Sequence, residues 1–323
     1  MTAVTILTLD QAEAWTAAHA DGGLPSQSHA YARGLAAAGL DPKLAVVEAG
    51  GARMLLPFLE RPWDGPCGEY VDIATTPGLS GASLSHDSLA PLQAWDAHAR
   101  AQGRVCSYIQ LAPDNHALQA QDPDHIVAHN VLIRFDLSSW DIATSVSRNA
   151  RKTITKPDRQ GVGFVTDRAR LEQPFLDLYY PAMARLGAAQ VFPRATIETW
   201  YQGAGLDLFG AEVGGEIVAA YLTHRHGAYV DGHLAATTEA GRSLSLWMFW
   251  RMAEHYRAMG IRHFNIGGAG APGDSIHWTK SRFNADEVPL LSVRQIHDRA
   301  AYDALCAAAG DRLNPARFPP YRV

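Results

Sequence analysis

Several groups of residues in this chain could do chemistry. Arg148, Arg151, Lys152, Lys156, Arg159, Arg168 and Arg170 crowd one stretch, opposed there only by Asp158 and Asp167. Such a run is either a solvated helix face or a surface for phosphate, since Arg offers a bidentate fork and Lys a point charge. Further on, His224, His226, Asp231 and His233 surround a turn at Gly227. On extended backbone His224 and His226 share one face, as do Asp231 and His233, so a metal site or a carboxylate–imidazole base is conceivable there. No cysteine or histidine cluster closes the set at a metal-ligand spacing, so no metal is expected, and the histidines read as cleft or cross-strand residues. Asp72 is a further candidate base, on a short strand of the first half. Lys280, in Trp278-Thr279-Lys280, would by default be a surface ion pair.

Composition bounds what can surround these residues. The chain has 323 residues, 47% hydrophobic and 19% charged, which suits a globular protein of two domains and not a disordered one. The net charge of −5 argues against broad nonspecific nucleic-acid binding while leaving room for a local basic patch. No apolar run reaches the roughly eighteen residues of a membrane span, and the first ten residues lack a secretory pattern, so a cytoplasmic protein is expected. Cys67, Cys106 and Cys306 are scattered, as reduced, buried cysteines would be.

The elements repeat. A strand at 4–9, helices at 10–19 and 28–38, and a hairpin over 44–59 turning at Gly50-Gly51 open the first half. A Pro/Gly-rich loop at 62–68, a strand at 70–74, a helix at 86–102 stopped by Gly103, and strands at 105–111 and 132–137 follow. The second half brings a basic helix at 142–156, a strand at 162–165, helices at 172–186 and 196–201, and a hairpin over 206–224 turning at Gly214-Gly215. A strand at 228–236, a helix at 244–259 stopped by Gly260, and a strand at 263–266 complete it. Glu48-Ala49-Gly50-Gly51 matches Glu212-Val213-Gly214-Gly215, and the glycine-stopped helices with their following strands come in the same order. Shared order argues for one duplicated unit. The expected class is therefore α/β with mixed sheets: tandem, duplicated domains resembling the N-acetyltransferase (GNAT) fold. The expected boundaries are 1–140, joined by a capped tail helix within 298–323, and 141–297. Trp247, Phe249 and Trp250 read as core.

In acetyl-CoA enzymes of that fold, a Gly-x-Gly loop between strand and helix cradles the cofactor pyrophosphate on backbone N–H groups. The corresponding stretch here, Ala236 to Leu244, has one glycine, Gly241, with Arg242 beside it and Glu239, which would repel phosphate.

Longer stretches resemble the FemAB-like family, the aminoacyl-tRNA-dependent peptidyl transferases and their wider relatives. Tyr70-Val71-Asp72-Ile73-Ala74-Thr75-Thr76-Pro77-Gly78-Leu79-Ser80-Gly81 is similar to the family's Asp-x-x-Thr/Ser-x-x-Gly-x-x-Gly loop. Ser147 to Lys156, followed by Gly161-Val162, resembles its basic helix and strand. Phe264-Asn265-Ile266-Gly267-Gly268 and Trp278-Thr279-Lys280-Ser281-Arg282-Phe283-Asn284-Ala285 resemble its ending, with Asn265 in place of a frequent Asp, Trp278-Thr279 ahead of Lys280 where Phe is common, and Asn284 in place of Gly. No charged helical-hairpin arm is present.

The resemblance implies an acyltransferase that forms an amide by moving an aminoacyl group, from charged tRNA, to an amine on a small molecule or cell-wall precursor. It implies that the basic helix helps to hold a phosphorylated acceptor, through Arg151 and Lys152 with Arg148 behind them. It places Lys280 near the acyl-transfer centre, where an ammonium could stabilise the developing oxyanion or, alternatively, hold the terminal phosphate or adenosine ribose of a charged tRNA. On this reading Lys280, Asp231 and Asp72 are the catalytic candidates. Arg148, Arg151, Lys152, Tyr70, Tyr229, His233, Trp278, Phe283 and Arg242 are the substrate-binding ones. No cofactor is required; an acyl-CoA donor is the alternative, and a noncatalytic binding module built on the same scaffold is a further one.

Overall fold

The hairpins form where paired glycines permit them. In the computed structural model, which describes residues 2–65, 68–188, 191–268 and 275–322, Gly50-Gly51 and Gly214-Gly215 all take positive φ, from +59° to +89°. They join Ala49 to Ala52 and Val213 to Glu216 in equivalent register. Contacts divide the chain into one unit of Met1–His129 with Pro289–Val323 and another of Asn130–Val288.

The first unit contains β1 (Ala3–Leu7), α1 (Ala12–Ala20), α2 (His29–Ala36), β2 (Pro42–Ala49), β3 (Ala52–Gly65), β4 (Gly68–Thr75), β5 (Ser83–Leu84), α3 (Ala90–Ala101) and β6 (Cys106–Gln110). The second has β7 (Ile126–Asp136), α4 (Ile142–Ser145), α5 (Arg148–Ile154), α6 (Lys156–Arg159), β8 (Gly163–Val165), α7 (Arg168–Leu186) and α8 (Arg194–Tyr201). It continues with β9 (Leu206–Val213), β10 (Glu216–His226), β11 (Tyr229–Thr237), α9 (Ser245–Ala258), β12 (His263–Gly268) and α10 (Ser275–Ser281). The chain then returns to the first unit with β13 (Asp286–Ile296) and α11 (Arg299–Ala309).

The sheets have one plan. In the first the order is β1-β2-β3-β4-β6-β13, with β4 and β6 parallel; in the second it is β8-β9-β10-β11-β12-β7, with β11 and β12 parallel. Each sheet is completed by the strand that follows the other repeat in sequence, β13 beside β6 and β7 beside β12. The second core packs Phe135, Phe264 and Val230 against Trp247, Met248, Met252 and Tyr256 of α9. Trp247 is core, and Phe249 and Trp250 are partly buried against it. In the first core Phe58, Ile73 and Ile109 meet Trp95 of α3. The tail helix α11, capped by Asp298, packs Ala301, Tyr302 and Leu305 on Val105 and Cys106.

Some expectations change. The Pro62–Gly68 loop is largely strand: β3 and β4 run on, with Trp63 opposite Tyr70 and with Arg61 opposite Asp72, an ion pair that ties the ladder beside Pro62. The basic helix breaks into α4, α5 and α6, because Asp141 and Ser147 each cap a fresh N-terminus and Pro157 sits in a first turn. Helix α3 begins at Ala90 rather than 86, with Pro91 in its first turn. Cys106 is buried and free, burial pushing its thiol up to about 12, and Cys306 is half-buried and free; Cys67 lies outside the described residues.

Candidate functional site

The parallel pair of the second unit opens. Tyr229 pairs with His263, Val230 with Phe264 and Asp231 with Asn265, and there the β11–β12 ladder ends. Irregular register helps to drive the strands apart. On β11, Gly232 pairs with Thr223 and Leu234 with Leu222, so His233 is the extra residue of a bulge. On β12 the pairing with β7 slips between Asn265 and Gly268. Beyond the fork lies a cleft of about 730 Å³, walled by β11, β12, α9 and α10. Tyr221, His233, Phe249, Met252, Ile266, Thr279 and Lys280 line it, with Arg185, Leu186, Arg242 and Ile276 among the other lining residues.

A polar row crosses the sheet at the root of the fork. Arg134, Asn265, Asp231 and His224 are register partners on four successive strands, and all are buried. Arg134 Nε donates to Asn265 Oδ1 at 2.9 Å, and Asn265 Nδ2 donates to Asp231 Oδ1 at 2.7 Å. The amide accepts on one side and donates on the other, which suits asparagine at 265, whereas an aspartate would face Asp231 charge to charge. His224 continues into an aromatic group with Trp200 and His233, the three ring centroids 5.1–5.2 Å apart. Burial holds the His224 imidazole well below its ordinary value, helped by its neighbour His233, and burial brings His233 down to about 4. Both rings are therefore neutral near pH 7. Among the described residues no group of three or more His, Cys, Asp or Glu could hold a metal ion.

Lys280 lies at the cleft and is clamped: Nζ donates to Ile266 O and to Gly268 O, each at 2.7 Å. Between those carbonyls Gly267 has φ +86°, so the lysine fastens the bend of β12 while bringing its charge to the cleft wall. Three N–H groups of the strand-to-helix loop at the other side have partners within the fold. Thr238 N donates to Val218 O (2.9 Å), Gly241 N to Thr238 Oγ1 (3.1 Å) and Arg242 N to Glu239 O (3.4 Å). A Cβ on Gly241 would lie 2.0 Å from Val218 O, so this glycine serves packing against β10. Arg242 pairs with exposed Glu239 at 3.1 Å.

The other expected residues are dispersed. Arg148 and Lys152 are exposed on α5, whose inner face buries Ala150 and Ile154. Arg151 instead donates to Ala143 O. Asp158 accepts from Trp247 Nε1 at 2.7 Å and from Arg251 at 3.3 Å, fixing α6 to α9. Tyr229 stacks on His263 at 4.9 Å, and Trp278 is 62% exposed beneath the Arg282 guanidinium. Phe283, expected at a substrate, is a correction: it is wholly buried against Phe135 and Trp140, and its carbonyl accepts from Trp140 Nε1.

Asp72 and Tyr70 belong to the first unit. The Asp72 carboxylate is taken up by Arg61 (2.6 Å), Arg322 (2.8 Å) and the Tyr321 hydroxyl (3.2 Å), and Tyr70 packs with Trp63 on the tail cluster. The rest of that motif is architectural. Thr75 Oγ1 accepts from Gln110 N at 2.9 Å, Gly78 lies against Ser26, and Gly81 lies against the Gln110 backbone. Ala82 exchanges backbone hydrogen bonds of 2.7 Å with Gln110 and Ala112. The first unit thus fills with its own chain the gap beside β6 that stands open beside β12.

Residues 144–276 match the family model described as an acetyltransferase (GNAT) domain. Those residues carry a GNAT-type acyltransferase domain. The fold of the chain is similar to that of FemX, over 94% of this chain and 99% of that one (11% identity, TM-score 0.66). It is also similar to a conserved protein of unknown function from Bacteroides thetaiotaomicron VPI-5482, over 92% and 100% (16% identity, TM-score 0.61). A further likeness is to the C-terminal DUF2156 domain of a protein assigned as a lysylphosphatidylglycerol synthetase from Agrobacterium fabrum, over 85% and 90% (13% identity, TM-score 0.55). No curated protein matches the sequence. Sequence reading missed Arg134, Tyr221, Phe249 and Arg185 at the candidate site; none stands in a motif, and strand register brings in Arg134 and Tyr221 while the helices α9 and α7 bring in Phe249 and Arg185.

Proposed function

We propose that the second unit's cleft transfers an aminoacyl group from charged tRNA to an amine on a small molecule or cell-wall precursor. The observation that carries this is the strand-to-helix loop: its N–H groups at 238, 241 and 242 already have partners within the fold, and Glu239 stands beside them. A pyrophosphate held as acetyl-CoA enzymes hold it would have to displace those bonds and meet a carboxylate. An aminoacyl ester brings only its activated end into the cleft, and its phosphates can be held elsewhere, as by the cations of α5 and α6. In the chemistry, the amine attacks the ester carbonyl, the C–N bond forms, the C–O bond to the ribose breaks, and the amine proton leaves to solvent or to the departing hydroxyl. Lys280, whose ammonium is held at the cleft wall by the Ile266 and Gly268 carbonyls, would stabilise the developing oxyanion more than move protons. The fork between β11 and β12 favours a second reading, an acyl-CoA donor with its pantetheine in the slot.

Labelled aminoacyl transfer from a pool of charged tRNA to an amine library, with wild type and Lys280→Ala in parallel, decides the donor. Transfer that requires tRNA and falls at least about a hundredfold in the variant is expected. Activity from acetyl-CoA alone would overturn the tRNA reading.

A further inference from the structure

We propose that the cleft selects the transferred group by its side chain, accepting an uncharged apolar one and rejecting a lysine-like cation. This rests on the reading that the cleft holds the group transferred. Its inner wall is apolar, with Phe249, Met252 and Ile266 facing Tyr221, whose ring stands 5.5 Å from that of Phe249. Burial pushes the Tyr221 phenol up to about 12, so the wall carries no anion there. Arg185, Arg242 and Lys280 supply the charge of the lining, all positive, and no Asp or Glu lines the cleft among the described residues. The nearby carboxylate, Glu239, is exposed and engaged by Arg242. An apolar side chain entering this space loses water favourably, whereas an ammonium is desolvated beside like charges with no carboxylate to pair it. Selection here is therefore both attraction and exclusion.

The test uses amino-acid amides, which share the same α-ammonium and amide and differ only in side chain. Leucinamide, phenylalaninamide, glutaminamide and lysinamide would each be titrated into the full chain by ligand-observed NMR. Leucinamide and phenylalaninamide are expected to bind at least about tenfold more tightly than lysinamide. Arg185→Glu, at an exposed position on the lining, should narrow that gap about threefold or more by improving lysinamide. Equal or tighter binding of lysinamide, binding of no amide, or a gap unmoved by Arg185→Glu would overturn the proposal. No tRNA is involved, so the outcomes separate. Transfer from tRNA without this ranking removes the selectivity alone, and the ranking without transfer removes the donor reading alone.

Discussion

At the scale of single residues, Gly241 shows how a position can look like ligand chemistry and be packing. In sequence it is the one glycine of a loop where glycine would signal phosphate; in the structure it lets the loop lie on the β10 backbone. Alanine there cannot be met by a rotamer change, because the atom it strikes, Val218 O at 2.0 Å, is backbone. Gly241→Ala should destabilise the protein by more than about 2 kcal/mol, read as a lowered urea midpoint with an unchanged m value. An unchanged midpoint would mean that the loop is free to lift away. Lys280 stands in the cleft lining, but its clamp on Ile266 and Gly268 could not be read from its motif, since it depends on a bend of β12 that no residue type announces. Asn265 was visible only as a departure from a pattern, and its reason, the amide between Arg134 and Asp231, required strand register. Asp72 and Phe283 show the opposite failure: motif residues whose chemistry is spent on holding the tail and filling a core.

At the scale of elements, the paired glycines and glycine-stopped helices made the duplication readable, because turn chemistry is local. The breaks in the basic helix, the strand β13 and the bulge at His233 were not readable, because competing caps and cross-strand pairing set them. The bulge has a thermodynamic consequence. It brings His233 beside His224 and Trp200, where burial depresses both imidazoles, His233 to about 4. In the unfolded chain a histidine titrates near 6.5. Between those values the unfolded state takes up protons that the folded state refuses, so stability is complete above about pH 6.5 and declines as pH falls toward 4. His233 alone would contribute a loss of about 3 kcal/mol over that window, and His224 acts in the same direction. Denaturant midpoints at pH 7 and pH 5 should differ accordingly, and the double replacement His224→Phe/His233→Phe, which keeps rings against Trp200, should flatten the dependence. A slope that survives this substitution would assign the acid sensitivity to the other buried histidines, such as His297.

At the scale of the whole molecule, the charge distribution decides between a solvated helix face and a nucleic-acid surface. The chain is net negative, at −5, so the proposed attraction to tRNA would have to come from a local field. Arg148, Lys152, Lys156 and Arg159 are exposed along α5 and α6, while Ala150, Ile154 and Pro157 anchor those helices from beneath and Asp158 is held by Trp247 and Arg251. Cations on a rigidly held support keep their spacing, which phosphate contacts require. Each phosphate neutralised releases counterions, so the logarithm of the tRNA binding constant should fall linearly with the logarithm of salt concentration. Replacing Lys152 and Lys156 together by alanine removes exposed charges and leaves the buried face intact. If both touch phosphate, the magnitude of that slope should drop by about 1.5 to 2, with binding weakened similarly for every tRNA species and the melting temperature unchanged. A slope equal to that of the wild type would leave the basic run as solvated surface, and a tRNA donor would then have to be held by other parts of the protein.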